Sequence, residues 1–580
     1  MRPLLRAEKL LRVLPAVLVA ACGSESGVNH SGDGADLVIT NGKIYTINPA
    51  QQWIEAVAIQ GGKYRYTGDS AGVRQFVGDD TTIVDLDGKM AMPGINETHS
   101  HSWQGGRKEL FECNFSFTAT PEEIAEIVSE CVESNPDSEW ITGGQWTSDF
   151  FIDYDIGSPK EWLDVISGDK AIYFEDDATH NAWVNSKALE FAGIDRDTPN
   201  PAGGTYVRNE NGEPNGLVLE TAKPIVESFI PDWTHEQNVA SLAEAVRLAN
   251  SFGLTGIHEA RTPPHISPAY QQLDREGRLT AYAITDLQTP RGQRDQSFDV
   301  SELVAISDKY SSEHVHTRFA KIFLDGVPTA TRTAVMIEPY LASEEYTEAT
   351  HGHLLVTQDA LTEDLIKLDA AGFTVKMHAA GDGAVRVALD SIEQVRKTNG
   401  ESGLRHEIAH AGYIHPNDVA RFAELNATAD LSPYLWFPRP IIDSIIGAVG
   451  ERANYYWPIR DLLDTGANVA IGSDWPSVAA SMNPWPAVEA MVTRRNPYTD
   501  SEDALWPEQA ITLDQALKIF TLDGALAYRL EEVTGSIEVG KSADLIVLNQ
   551  NLFEVPIEQV SETEVDQTYF EGELVYSSAE

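Results

Sequence analysis

Met92-Pro-Gly-Ile-Asn-Glu-Thr-His-Ser-His-Ser102 is the stretch whose reading decides the rest of the chain. His99 and His101 stand two residues apart, just past a Pro-Gly break. On a β-strand, residues i and i+2 share a face, so this spacing aims two imidazoles at one metal ion. Alone, the pair is equally compatible with a solvated loop carrying two incidental histidines, and other ligands have to decide.

Further along, other expected strands finish on metal-competent residues. Lys321 lies in Phe319-Ala-Lys-Ile-Phe-Leu-Asp-Gly326, His378 ends Phe373-Thr-Val-Lys-Met-His, His410 ends Arg405-His-Glu-Ile-Ala-His, and Asp474 sits in Gly472-Ser-Asp-Trp-Pro. Singly, a strand-end histidine can bond a backbone carbonyl and Asp474 can be a turn residue. Agreement at five strand ends favours a site.

Helices separate these strands. Residues 236–252 carry Val239, Leu242, Val246 and Ala249 on one face, end at Gly253, and feed the strand Leu254-Thr-Gly-Ile-His258. Residues 359–371 repeat the pattern with Leu361, Leu365 and Leu368, and 384–395, 418–425 and 459–464 are further helices, each ahead of an apolar strand. Thr512-Leu-Asp-Gln515 is a capping box that opens the last long helix. Such βα units predict an α/β fold, a (β/α)8 TIM-type barrel over 94–530 with its active face at the C-terminal strand ends. Short apolar runs divided by Asn-Gly, Gly-Gly and Asp-Gly in 36–93, and matching runs in 531–580, predict a small β-sandwich domain built from both chain termini. The irregular region at about 108–235 reads as an inserted subdomain covering the site.

At 580 residues the chain exceeds one ordinary domain. Its formal charge of −47, with 42 basic against 89 acidic residues, is spread without an acidic block. That balance repels nucleic acid and anionic membrane surfaces and suits salty surroundings. Arg2, Arg6 and Lys9 precede an apolar run too short to span a bilayer, ending in Val19-Ala-Ala-Cys22. Residues 1–22 therefore read as a lipoprotein signal peptide and lipobox, with Cys22 as lipid anchor, and 23–35 as a flexible tether. An ordinary cleaved signal is the alternative. Either way the protein is expected to be exported, on the lipobox reading to the periplasmic face of a bacterial outer membrane. Cys113 and Cys131 can pair in an oxidising compartment, though nothing in the sequence fixes their geometry.

Together these motifs resemble the amidohydrolase superfamily of metal-dependent hydrolases, in the branch of the YtcJ-like proteins and N-substituted formamide deformylases. The resemblance is carried in order by the His99/His101 stretch, Lys321-Ile-Phe-Leu-Asp-Gly with Arg332 following, His378-Ala-Ala-Gly-Asp-Gly-Ala, Arg405-His-Glu-Ile-Ala-His, Gly472-Ser-Asp-Trp-Pro and Gly535-Ser-Ile-Glu-Val-Gly-Lys-Ser-Ala-Asp-Leu. His180-Asn-Ala-Trp-Val-Asn-Ser186 extends it into the insertion.

The resemblance implies two divalent ions, Zn2+ being expected. His99, His101 and Asp474 would hold one, His378 and His410 the other, and an N6-carboxylated Lys321 would bridge them. A metal-bridging hydroxide would attack an amide-type C–N bond, with Asp474 as catalytic proton shuttle. His180, Trp183, Asn185 and Arg332 would bind the substrate, a small molecule of the N-acyl or N-formyl class. No nucleic-acid partner is expected, membrane contact is expected only through the anchor, and the oligomeric state stays open, a homodimer included. The chain departs from the family at Glu97, where Asp is usual before the first histidine pair. Two alternatives remain: a mononuclear deaminase of a ring amine, which would lack the bridging lysine, and a non-catalytic tethered binding lipoprotein.

Overall fold

A computed structural model describes residues 34–116, 119–147, 150–176, 181–201, 204–290, 298–329, 331–342, 349–432, 434, 436–477 and 479–579. The signal peptide, Cys22 and most of the expected tether lie outside these residues, as does His180.

The middle of the chain is the expected α/β barrel. Eight parallel strands follow one another in sequence order around one sheet. They are β1 (Ile95–Ser100), β2 (Leu254–Thr262), β3 (Tyr282–Gln288), β4 (Val315–Phe323), β5 (Thr374–Ala379), β6 (Glu407–His410), β7 (Thr428–Asp430) and β8 (Asn468–Ala470). They are nearly continuous buried runs, because helices cover one face and the barrel interior fills the other. Helices His235–Ser251, Gln358–Ala370 and Asp382–Asn399 bury the apolar stripes that their 3.6-residue period predicts, including Val239, Leu242, Leu361, Leu365 and Leu389. Capping boxes at Thr234 and Thr512 fix two helix starts. The helix opened by Thr512 covers only Leu513–Lys518 before a π-helical turn at Ile519–Asp523.

The sheet closes just beyond β8. The Asp474 amide donates to the His99 carbonyl and the His101 amide to the Trp475 carbonyl, both at 2.7 Å. The seam of the barrel therefore runs through the metal motif itself.

Between helices Ser102–Phe111 and His235–Ser251, the inserted region forms a six-stranded sheet. Its strand order is Gly204–Arg208, Pro214–Glu220, Asn181–Val184, Ala171–Asp176, Trp140–Trp146, Cys113–Asn114. A Cys113–Cys131 disulfide ties its edge strand to helix Pro121–Ser134. Lys43–Tyr45, Trp53–Ile54 and Met90–Pro93 share a six-stranded sheet with Leu545–Leu548, Val565–Phe570 and Glu573–Ser577. A four-stranded sheet of N-terminal strands packs on it through Leu37, Ile39, Ile44, Val57, Leu545 and Tyr569. Met90–Pro93 leads directly into β1, which joins the sandwich to the His99/His101 stretch.

Candidate metal centre

β1 carries His99 inward and fully buried. His101 stands one residue past the strand, as the N-cap of helix Ser102–Phe111. Asp474 arrives from the opposite edge of the seam in a left-handed conformation, φ 60°. Its Oδ1 lies 3.5 Å from His99 Nε2 and 3.2 Å from His101 Nε2. Among the described residues these three form a cluster of ligand atoms within 4.8 Å of one another.

Two more imidazoles adjoin it. The His410 ring centre is 4.8 Å from that of His99 and 4.3 Å from that of His378. His410 also holds a left-handed backbone, φ 68°, a conformation costly for a non-glycine residue and typical of functional sites. Lys321, on β4, is 1% exposed, and its charge is felt by His99, His378 and His410. The structure thus brings all six expected ligands to one end of the barrel interior.

The hydrogen bonds test whether these side chains suit an ion. His99 Nδ1 meets Asp430 Oδ2 at 2.6 Å, His378 Nε2 meets the Gly326 carbonyl at 3.1 Å, and His410 Nδ1 meets the Ser432 carbonyl at 2.9 Å. Each acceptor takes the N–H of one ring nitrogen, which leaves a lone pair on His99 Nε2, His378 Nδ1 and His410 Nε2. His99 Nε2 is buried without a hydrogen-bond partner, the position a metal ion would satisfy. For His101, Glu259 Oε1 stands 3.6 Å behind Nδ1 while Nε2 faces Asp474. Burial, then the Lys321 ammonium, holds His99 well below the usual imidazole range and brings His378 down to about 4, so both imidazoles are neutral at neutral pH. His101 moves the other way: burial lowers it, but Asp474 and Glu259 together raise it above the usual imidazole value. Burial pushes Lys321 down to about 8, aided by the Lys376 cation beside it.

The expected substrate-binding residues are placed differently. Trp183 is fully buried in the inserted sheet, donates to the Pro159 carbonyl at 2.9 Å, and packs on Phe150, Phe151 and Trp162. Asn185 caps helix Ser186–Ala192 and bonds the Ile172 and Ala188 amides and the Lys170 carbonyl. Both side chains are committed to packing the insertion and neither is brought to the histidine cluster. Arg332, in the loop after β4, is buried with φ 54° and donates to the Leu341 carbonyl at 2.6 Å.

Four functional-looking groups escaped sequence reasoning: Glu259, Lys376, Glu407 and Asp430, all buried in the barrel. Lys376 had a usable signal, since it precedes His378 by two residues and so shares its face. Asp430, like His378, stands near the end of an apolar strand.

The amidohydrolase family pattern matches residues 82–576. The chain belongs to the amidohydrolase family. It is 28% identical over 555 residues to protein LONG AFTER FAR-RED 3 of Arabidopsis thaliana, covering 94% of this chain and 92% of that one. It is 26% identical to the N-substituted formamide deformylase of Arthrobacter pascens, covering 93% and 98%, and to the putative amidohydrolase YtcJ of Bacillus subtilis, covering 93% and 99%. An uncharacterized metal-dependent hydrolase from Pyrococcus horikoshii shares the fold, with a TM-score of 0.71 at 23% identity over 90% of this chain and 99% of that one. The YtcJ-like branch expected from the motifs is supported by the likeness to the deformylase and to YtcJ.

Proposed function

We propose that this amidohydrolase hydrolyses a non-peptide, amide-type C–N bond of the N-acyl or N-formyl class in a small molecule. The observation that carries the reading is the set of imidazoles that each turn one nitrogen to an acceptor and leave the other facing Asp474 or a neighbouring ring. The likeness to a formamide deformylase over nearly the whole of both chains supports the bond type.

In this reading His99, His101 and Asp474 hold one divalent ion and His378 and His410 a second, with Zn2+ suited to the nitrogen-rich donor set. Bound ions would activate a water and polarise the scissile carbonyl. Lys321 would supply the charge the two ions share: its neutral Nζ, on reaction with CO2 and loss of a proton, would become an anionic carbamate, where an ammonium would repel divalent ions. Asp474 takes the proton from the attacking water and delivers it to the leaving nitrogen. Its left-handed backbone and its position on the barrel seam fix the carboxylate relative to both H-x-H imidazoles. The buried Lys321 also favours this reading over a mononuclear deaminase. The Cys113–Cys131 disulfide fits an oxidising compartment and so supports an exported protein.

A panel of N-formyl amines, N-acyl amines and ring amines, offered to zinc-loaded enzyme, tests the reaction. Release of free amine from the first two classes, lowered about 10³-fold in Asp474→Asn, is expected. Ammonia release from ring amines alone would overturn it.

A further inference from the structure

Beneath the metal-facing histidines the barrel interior holds charges that the proposed chemistry does not use. Lys376, on β5, is wholly buried, and its Nζ donates to the Thr98 carbonyl at 2.6 Å and to Asp430 Oδ2 at 2.9 Å. Glu407 Oε2 lies 2.9 Å from the same ammonium. Asp430 is the junction of this network. Its Oδ2 lies 2.6 Å from His99 Nδ1, and its Oδ1 accepts the Ser432 hydroxyl at 2.5 Å. Ser432 Oγ in turn accepts the Gly472 amide at 2.7 Å, on the segment that ends in Asp474. A carboxylate oxygen only accepts, so the short contact places a proton on His99 Nδ1 and the lone pair on Nε2.

We propose that Asp430 is the positioning residue that locks His99 as its Nδ1–H tautomer and thereby sets the affinity of the site for its ion, with Lys376 clamping the carboxylate in register. The proposal rests on the reading of His99 as a metal ligand. The clamp explains a buried lysine that faces the interior yet pairs with carboxylates instead of with the site. It also explains why Asp430 is engaged on both oxygens: a carboxylate free to rotate would not hold the imidazole plane.

The barrel contains its own control. At the opposite strand ends, His406 Nε2 meets Asp369 Oδ1 at 3.2 Å, and both are buried. That carboxylate–imidazole pair is not part of the histidine cluster, and Asp369 also accepts from Ser402, Asn399 and Arg396.

Zinc affinity of the full chain, measured by chelator competition, separates the two roles. Asp430→Asn leaves His99 Nδ1 only a neutral amide oxygen in place of the carboxylate, which weakens the hold on the Nδ1–H tautomer. It is expected to weaken zinc binding about 10- to 100-fold. Asp369→Asn is expected to lower the thermal midpoint of the metal-free protein at least as much while leaving zinc affinity at the wild-type value. Zinc binding by Asp430→Asn within about twofold of wild type would overturn the proposal. If that variant does not fold, Ser432→Ala, which frees one carboxylate oxygen, decides in its place: a loss of about threefold or more supports the clamp and an unchanged affinity overturns it. Wild-type protein that binds no zinc would overturn the ligand reading itself, which the variants alone cannot do.

Discussion

Glu97 holds the Ser473 amide with both carboxylate oxygens, at 2.9 and 3.1 Å, and so bolts the first barrel strand to the segment after the last. Oε1 also takes the His99 amide at 3.0 Å, and Oε2 accepts the Tyr434 hydroxyl at 3.1 Å. Burial pushes this carboxyl up to about 8 against the pull of those donors. Glutamate here, one methylene longer than the family's usual aspartate, reaches across the seam.

Such a seam leaves no room at Gly472. A Cβ there would stand 2.2 Å from the His99 amide nitrogen and 2.3 Å from Glu97 Oε1. Gly472→Ala is expected to destabilise the protein by about 2–3 kcal/mol and to lower bound metal, read by thermal unfolding and metal analysis of the same sample. Wild-type stability would show that the seam yields.

Trp457 supports His410, on the sixth strand, from behind. Its indole N–H donates to the His410 carbonyl at 2.6 Å, next to the left-handed pair His410 and Ala411. Trp457→Phe keeps an aromatic ring but removes that bond together with the pyrrole half of the buried indole. A fall in kcat/KM of about tenfold is expected, the cost of one buried hydrogen bond at a ligand backbone.

A pH-dependent tie joins the bottom of the barrel to the terminal sandwich. His314 contacts Asp274 at 2.7 Å and Glu571 at 3.4 Å, and despite burial, which lowers it, these carboxylates push the imidazole up to about 9. Because the folded value exceeds the unfolded one near 6.5, the stabilisation is complete below about 6.5 and disappears as pH rises through about 9. His314→Gln is expected to cost about 1–2 kcal/mol at pH 6, allowing for screening of the part-exposed Glu571, and close to nothing at pH 10. An equal loss at both pH values would contradict the tie.

The disulfide spans 18 residues of the insertion. Reduction, or Cys131→Ser, is expected to cost about 2–3 kcal/mol and to expose the 113–131 region to limited proteolysis before the barrel. Unchanged cleavage kinetics would show that the helix is held by packing alone.

Much of the fold and site was legible in the sequence because their signals are local. Helical stripes such as Val239, Leu242 and Val246, and strand-end candidates such as His378 and His410, follow from periodicities of 3.6 and 2. β3 was not legible: Tyr282-Ala-Ile-Thr-Asp-Leu-Gln288 mixes polar and apolar residues although Thr285 and Asp286 are both fully buried, with Asp286 Oδ1 3.1 Å from the buried His258 Nε2. The Asp430–Lys376 clamp was hidden for a related reason. Its members lie 54 residues apart, and neither strand shows that its partner shares one interior layer. Trp183 and Asn185 show the converse, since resemblance marked them for substrate while their hydrogen bonds serve the insertion's own sheet.

Metal stoichiometry tests the central claim most directly, because Lys321 separates one ion from two. Purified full-length protein, analysed with bicarbonate present, is predicted to hold about two zinc ions per chain, and Lys321→Ala about one or fewer. A single ion in wild type, retained unchanged in Lys321→Ala, would contradict the binuclear account.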